Sequence, residues 1–401
     1  MSAIPAELWQ WLIPALAVLA AALRLIVDRG GGASEFTLGP IVVVLPLAVA
    51  IALPHPGAAA TLLIAGLVVA ILARDHGDLL QSECALKLAW VLGGSLALSI
   101  AGSELLAMVT GTRLNAEQWA VLGAPIGPDD LWRVALPLSL LAGLVLLGGA
   151  PFHFWPADLF QGGRSWAAPL AAAALQVSGA SWLARRLSGI ESLPEARAVT
   201  SNLLAAVSGI AFLVGAATLL QQRRPERRIG TLASLHGALA IAMLLAGNGP
   251  GSEQWFARWS AHLAIGLTGA GLFARFLPVT SDVDPANRRG SVLFRRHPFS
   301  AIAGLLATLS LAGVPGTPGA AIWLEAARAL AASRHSTLLA LLGLAWLASF
   351  ATVMRQWREA AGIPVRAPEG VPDPGVPGAA RAALWVGAAG VILLGASWLV
   401  S

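Results

Sequence analysis

Six ionisable residues stand inside stretches too apolar for a protein surface: Glu104, His153, His236, His262, Glu325 and Arg328. A charge in such a setting is costly unless it pairs, changes protonation or faces water, which makes each of them a functional-site hypothesis. The chemistry open to them is proton transfer, because histidine titrates near neutral pH unaided. Glu104 reads as mid-span in Ser103-Glu104-Leu105, where a relay role, a structural hydrogen bond and a position nearer the span end are all open. His153 lies where an apolar run breaks, as a relay group or a satisfied core histidine. His236 and His262 fall within spans and are placed to bridge two such breaks. Glu325 and Arg328 are three apart on one helix face and are expected to pair with each other, or to replace a proton site after the second break. A polar path, if continuous, is expected to link Glu104, His153, His236 and His262 near mid-membrane.

No other chemistry is written in the chain. It has no Walker loop, dinucleotide fingerprint, HExxH or CxxC. Its single cysteine, Cys84, excludes an intrachain disulfide and a cysteine-rich cluster. No catalytic, cofactor-binding or metal-ligating residue is therefore expected.

The elements that hold these residues are membrane helices. The 401 residues are 57% hydrophobic and 12% charged, against about 25% charged in soluble domains, and the mean hydropathy is +0.73. There are 15 Trp and no Tyr, leaving Trp to form any interfacial belt. The net charge of +5 is carried by Arg apart from Lys87. Because the arginines fall between apolar runs, they read as loop bias and not as a nucleic-acid surface. The length rule marks about twelve spans: residues 8–27, 38–53, 58–73, 87–110, 131–150, 167–185, 202–220, 229–247, 256–276, 298–330 (interrupted), 336–354 and 382–400. The first run lacks a basic start and reads as a membrane helix, not a cleaved signal. The second and third, joined by Pro54-His55-Pro56-Gly57, also fit a re-entrant pair.

With each interrupted run counted as one crossing, Arg24/Arg29, Arg74, Arg223 to Arg228, Arg288 to Arg296 and Arg355/Arg358 all land on one side, the cytoplasmic one by the positive-inside rule, with both termini outside. Arg185 and Arg186 fall on the other side, where their side chains would snorkel. Residues 359–381, rich in proline and glycine, read as a linker to the last helix. No separate soluble domain is present. Two runs are broken. Gly148-Gly149-Ala150-Pro151 to Asp158 interrupts one, and Leu311-Ala312-Gly313-Val314-Pro315-Gly316-Thr317-Pro318-Gly319 interrupts another. Proline ends a helix by removing a donor and clashing with the preceding turn. Broken backbone at membrane depth must be surrounded by protein or line a cavity. Paired breaks in two halves point to an internal repeat, and two ordinary packing kinks would look the same in a chain with 43 Gly and 25 Pro. The expected fold is all-α and polytopic, a single membrane domain of residues 1–401. It has divergent N-terminal helices at 1–80, two inverted-repeat-like bundles at 81–220 and 221–358, and a C-terminal helix at 382–401.

Pro151-Phe152-His153-Phe154-Trp155 with Asp158 and Gly162 resembles the PFHxWLPDxxxGAP signature of the antiporter-like membrane subunits of respiratory complex I. Mrp cation/proton antiporter and membrane-bound hydrogenase subunits share that family. Glu83-Cys84-Ala85-Leu86-Lys87 resembles its EAALK helix start. Arg227-Arg228 with Ala233-Ser234-Leu235-His236 resembles its KR…SSISH stretch, offset by one residue. Arg289-Gly290, Arg295 to Pro298 and Leu309-Ser310-Leu311-Ala312-Gly313-Val314-Pro315 resemble its RG…P…LSLAGIPPTAGF stretch. The absence of lysine from 256–276 brings the chain nearest the NADH:quinone oxidoreductase subunit N branch. Pro151, Trp155, Asp158, Pro315 and Lys87 are the motif positions, with Asp158 expected to cap the restarted helix.

The resemblance implies proton translocation within a complex I-type NADH:quinone oxidoreductase, multi-pass in a bacterial plasma (inner) membrane. Its partners would be other membrane subunits and the lipid bilayer. Quinone, flavin and iron–sulfur clusters would belong to partner subunits only. The departures point elsewhere. The family's path uses one glutamate and lysines in three helices. Here residues 58–73 carry no acid, and the N-terminal region is about two spans short. The lysine positions fall at Leu146, at Gly179 and near Trp323, and the signature's glutamate and Pro-Thr-Pro at Gln161 and Arg164-Ser165-Trp166. A buried lysine serves a proton path because burial brings its titration toward neutral pH; leucine, glycine and tryptophan cannot. A non-pumping scaffold subunit, or a subunit of a cation/proton antiporter or inorganic-carbon uptake system, are the competing functions.

Overall fold

A computed structural model describes residues 79–113, 115–123, 130–162, 167–247, 252–275, 277, 297–361 and 378–400. The three expected spans before residue 74 and most of the 359–381 linker lie outside these residues. Among the described residues all regular structure is helical. In chain order the helices are α1 (Leu79–Thr110), α2 (Asn115–Leu122), α3 (Trp132–Leu146), α4 (Trp155–Gly162), α5 (Ala167–Leu187) and α6 (Pro194–Gln221). They continue as α7 (Pro225–Ala246), α8 (Ser252–Arg275), α9 (Pro298–Leu311), α10 (Pro318–Ala332), α11 (Ser336–Ala361) and α12 (Gly378–Val400). Four of them start on a proline at the first helical position (Pro194, Pro225, Pro298, Pro318), where its missing N–H costs nothing. Among the described residues, four helices are by length and composition able to cross a membrane: Ser82–Thr110, Pro194–Gln221, Pro225–Ala246 and Ser336–Glu359.

The bundle is arranged around α7. From Arg228 to Met243 every residue is buried, and α7 packs against α4, α5, α6, α8, α10 and α11. Small residues allow this. A Cβ on Gly237 would run into the Leu147 carbonyl, and one on Gly230 into the Ala157 backbone. Helices in lipid gain little from apolar contact alone, so close packing at small residues holds them together.

The expected breaks are both present. α3 ends at Leu146 and the chain restarts as α4; α9 ends at Leu311 and restarts as α10. The two ends are built alike. Gly148 (φ 74°) donates its N–H to Val145 O at 2.8 Å while Gly149 N–H reaches Leu144 O at 2.8 Å. Gly313 (φ 69°) donates to Ser310 O at 2.9 Å while Val314 N–H reaches Leu309 O at 3.0 Å. This is the Schellman pattern, in which a left-handed glycine turns back on the last helical carbonyls. The Ala150–Pro151 peptide after the first break is cis.

Candidate functional site

Each break leaves carbonyls at the end of a half-helix, and these must be satisfied away from water. At the first, the buried Trp155 indole donates to Val145 O at 2.7 Å, and Gln176 of α5 donates to Leu147 O at 3.1 Å and to Ala233 O of α7 at 2.7 Å. At the second, Leu311 O accepts from Trp323 Nε1 at 3.2 Å and from His236 Nε2 at 2.8 Å, and Trp346 Nε1 donates to Gly313 O at 2.9 Å. Each end is closed by one tryptophan from the restarted half-helix and one polar side chain from a neighbouring helix, joined at the second end by Trp346 of α11.

The structure brings His236 and His262 together beside the second break. Both are fully buried, with ring centroids 5.5 Å apart. His262 Nε2 lies 2.8 Å from Ser310 Oγ, which also accepts the Gly319 N–H at 3.2 Å. The Leu311 O contact assigns the His236 tautomer. A carbonyl only accepts, so His236 Nε2 carries its proton and His236 Nδ1 is left as an acceptor. The Ser310 hydroxyl has a second lone pair beside the one that Gly319 N–H uses, so it can donate to His262 Nε2 or accept from it, and both tautomers of His262 fit. Neither Nδ1 has a hydrogen-bond partner among the described residues. The pair thus holds one acceptor, His236 Nδ1, and a second ring nitrogen, His262 Nδ1, buried side by side on rings 5.5 Å apart.

The other expected relay groups lie elsewhere. His153 packs its ring edge-on to Phe154 at 6.3 Å, and its carbonyl accepts from Ser234 Oγ at 2.6 Å. Among the described residues no hydrogen bond or ring contact joins it to the histidine pair. Glu104 is 40% exposed and pairs with Arg113 at 2.7 Å. The reason is length: α1 has 32 residues, roughly 48 Å at 1.5 Å each, against a hydrocarbon core of about 30 Å. Glu104 therefore sits near the end of a long helix and not at its middle. Glu325 does not pair with Arg328; its partner is Arg258 of α8, at 3.5 Å, because α10 packs against α8 and Arg328 faces outward.

The motif positions resolve into contacts. Asp158 meets Arg227 of α7 at 2.6 Å, and the same guanidinium nitrogen donates to Gln161 Oε1 at 2.6 Å. The carboxylate expected to cap α4 is thus engaged in pinning α4 to α7. Lys87 pairs with Glu83 one turn back at 2.5 Å, both half-exposed. Pro151 and Pro315 are exposed just beyond the left-handed glycines. Arg186, left to snorkel by the sequence reading, is buried, donates to Gln118 Oε1 at 2.9 Å and lies 5.7 Å from the Trp119 ring centroid. Gln176, Ser310 and the Arg228–Glu359 pair carry weight that the sequence reading did not assign. Their signal was present: polar groups inside apolar runs.

The three positions where the resemblance places lysines are packed. Leu146 is buried. A Cβ on Gly179 would meet Leu146 Cβ at 2.8 Å and Gly143 O at 2.9 Å. Trp323 is fully buried, stacked on Trp346 at 5.8 Å.

Comparison with known proteins agrees with this architecture. The family model for the transmembrane region of NADH:quinone oxidoreductase/Mrp antiporter subunits matches residues 61–352. Subunit N of the NADH-quinone oxidoreductase of Alkalilimnicola ehrlichii is 28% identical over 298 residues, 73% of this chain and 57% of that protein. Subunit 14 of the Thermus thermophilus NADH-quinone oxidoreductase is 32% identical over 257 residues, 62% of this chain and 53% of that protein. The chain spans about half the length of the curated relatives it matches. A chain of Thermus thermophilus respiratory complex I superposes with TM-score 0.70 at 24% identity, covering 96% of this chain and 83% of that one. A chain of the Mrp complex from Dietzia sp. DQ12-45-1b superposes with TM-score 0.75 at 15% identity, covering 98% and 80%. With the matched model covering most of its length, this chain belongs to the NADH:quinone oxidoreductase/Mrp antiporter family of membrane subunits.

Proposed function

We propose that this chain is a subunit N-like membrane subunit of a complex I-type NADH:quinone oxidoreductase in a bacterial plasma membrane, and that it holds neighbouring subunits in place with its own proton path degenerate. About twelve spans in two inverted-repeat-like bundles are part of this proposal, supported by the two matched Schellman ends. Quinone, flavin and iron–sulfur chemistry belong to partner subunits. One observation carries the reading: Leu146, Gly179 and Trp323 stand where the family's path has lysines, and each is closed by packing. The first two leave no ionisable group, and Trp323 uses its N–H to cap Leu311 O.

A second reading keeps proton transfer in this chain through His236 and His262. The unpartnered Nδ1 atoms favour it. Purification with co-migrating subunits, followed by proton-pumping measurements on the reconstituted assembly, tests both. In the double variant His236→Ala/His262→Ala, an intact assembly with an unchanged ratio of protons to NADH supports the scaffold. A lower ratio at equal assembly sinks it and supports the relay. Co-purification with cation-antiporter subunits or a large zinc-containing partner, and without redox subunits, would remove the chain from complex I altogether.

A further inference from the structure

The turn between α10 and α11 is a third Schellman end, and it breaks the rule the other two keep. Arg334 N–H reaches Ala331 O at 3.1 Å and His335 N–H reaches Leu330 O at 2.9 Å. The left-handed position, glycine at 148 and 313, is here Arg334, with φ 61°. A side chain in that conformation costs free energy that glycine avoids. Arg334 is exposed, and no carboxylate among the described residues pairs with it.

Beside this cation, α6 and α11 frame a groove of about 450 Å³. Small residues, Ala205, Ala206 and Gly209, form its α6 side, continued by the exposed Ile210 and Leu213. Leu338 and Leu341 form its α11 side, with Leu338 Cδ2 only 3.1 Å from where a Cβ on Gly209 would stand. Arg334, His335, Ser336 and Thr337 close one end. The depth of that end follows from the other end of α11. There Arg355 donates to Gln222 O at 3.0 Å and to Leu220 O at 2.9 Å, beside the Arg223–Arg228 turn. Ser336 is roughly 28 Å away along the helix at 1.5 Å per residue, close to the thickness of the hydrocarbon core, about 30 Å. Arg334 and His335 therefore lie at headgroup level on the face opposite that turn, with the apolar groove running from them into the hydrocarbon layer.

We infer that this groove binds an anionic phospholipid, its acyl chain along Ala205 to Leu213 and its phosphate on Arg334, His335 and the first-turn N–H groups of α11. The charge complements the headgroup, and the small-residue floor of Ala205, Ala206 and Gly209 gives a chain a recess between α6 and α11. The inference needs only that α6 and α11 cross a bilayer. It stands apart from any proton role of His236 and His262.

The test uses the full-length protein in its native assembly, in nanodiscs of phosphatidylcholine doped with a phosphatidylglycerol that carries a photoreactive acyl chain. Label is expected on the peptides holding Ala205 to Leu213 and Leu338 to Leu341. Arg334→Gly should lower it about fivefold, the factor one Lys or Arg contributes toward an anionic membrane surface. The left-handed turn welcomes glycine, so this variant keeps its fold and its melting temperature does not fall. Ala206→Phe, at an exposed position, should fill the groove and remove the label. Equal labelling by photoreactive phosphatidylcholine, indifference to Arg334→Gly, or cross-linking of this face to a neighbouring subunit with no lipid label would each overturn the proposal.

Discussion

At the level of single residues, distances between backbones set the constraints. Gly237 lets α7 lie directly on the Leu147 carbonyl, the same carbonyl that Gln176 satisfies. Gly237→Ala should destabilise the purified assembly by about 1–3 kcal/mol, the usual cost of overpacking, read as a lower melting temperature. Gly343→Ala, with nothing within 4 Å of the added methyl, should leave it unchanged or raise it, since alanine is the better helix former by up to about 1 kcal/mol. Ser310→Ala should cost about 1–3 kcal/mol by stranding the buried Gly319 N–H and His262 Nε2. His236 and His262 were visible in the sequence as polar intrusions. Their direct contact beside one break, in place of a bridge between two, was not, because it depends on how α7 and α8 meet. For Glu104 the position nearer a helix end, one of the alternatives open in the sequence, is the one found, because hydropathy marks where a span is apolar and not where its helix stops.

At the level of elements, the breaks at 148–158 and 311–319 were legible, since glycine followed by proline cannot continue a helix. Boundaries were less so. α6 begins at Pro194, eight residues before the apolar run, because Pro194-Glu195-Ala196-Arg197 is polar and still helical. α2 was hidden inside a polar stretch. The joints between elements rest on ion pairs no sequence pattern shows. Arg228, 1% exposed, grips Glu359 of α11 with two bonds, at 2.6 and 2.7 Å, and donates to Gln222 O and Arg223 O as well. Removing one partner of such a pair leaves an unpaired buried charge, at about 3–5 kcal/mol. Arg228→Met should therefore lower the melting temperature and open the α6–α7 turn to protease. Adding Glu359→Leu to it should restore much of the loss, and a double variant no better than the single would show that the bond network, and not the stranded carboxylate, dominates.

At the level of the whole molecule, the fold is kept while its sequence has diverged. The same family architecture is kept at 24% and 15% identity to its solved neighbours, which is what two capped half-helices around one buried helix require. What distinguishes this chain is the filling of positions, and filling is legible only once the fold says which positions face one another. Leu146 and Gly179 look unrelated in the sequence; in the structure they are the two sides of one helix contact.

The burial of α7 has a consequence for how this chain can vary. A helix at a lipid surface tolerates substitution with the rhythm of its turns, because one side is free. α6 and α11 alternate buried and exposed residues in this way. α7 has no free side from Arg228 to Met243. In a saturation scan scored by membrane accumulation, α6 and α11 should show tolerance recurring every three to four positions, as 3.6 residues per turn demands, and α7 should show an unbroken intolerant block. A helical rhythm of tolerance within that block would mean that a side of α7 is open in the native assembly.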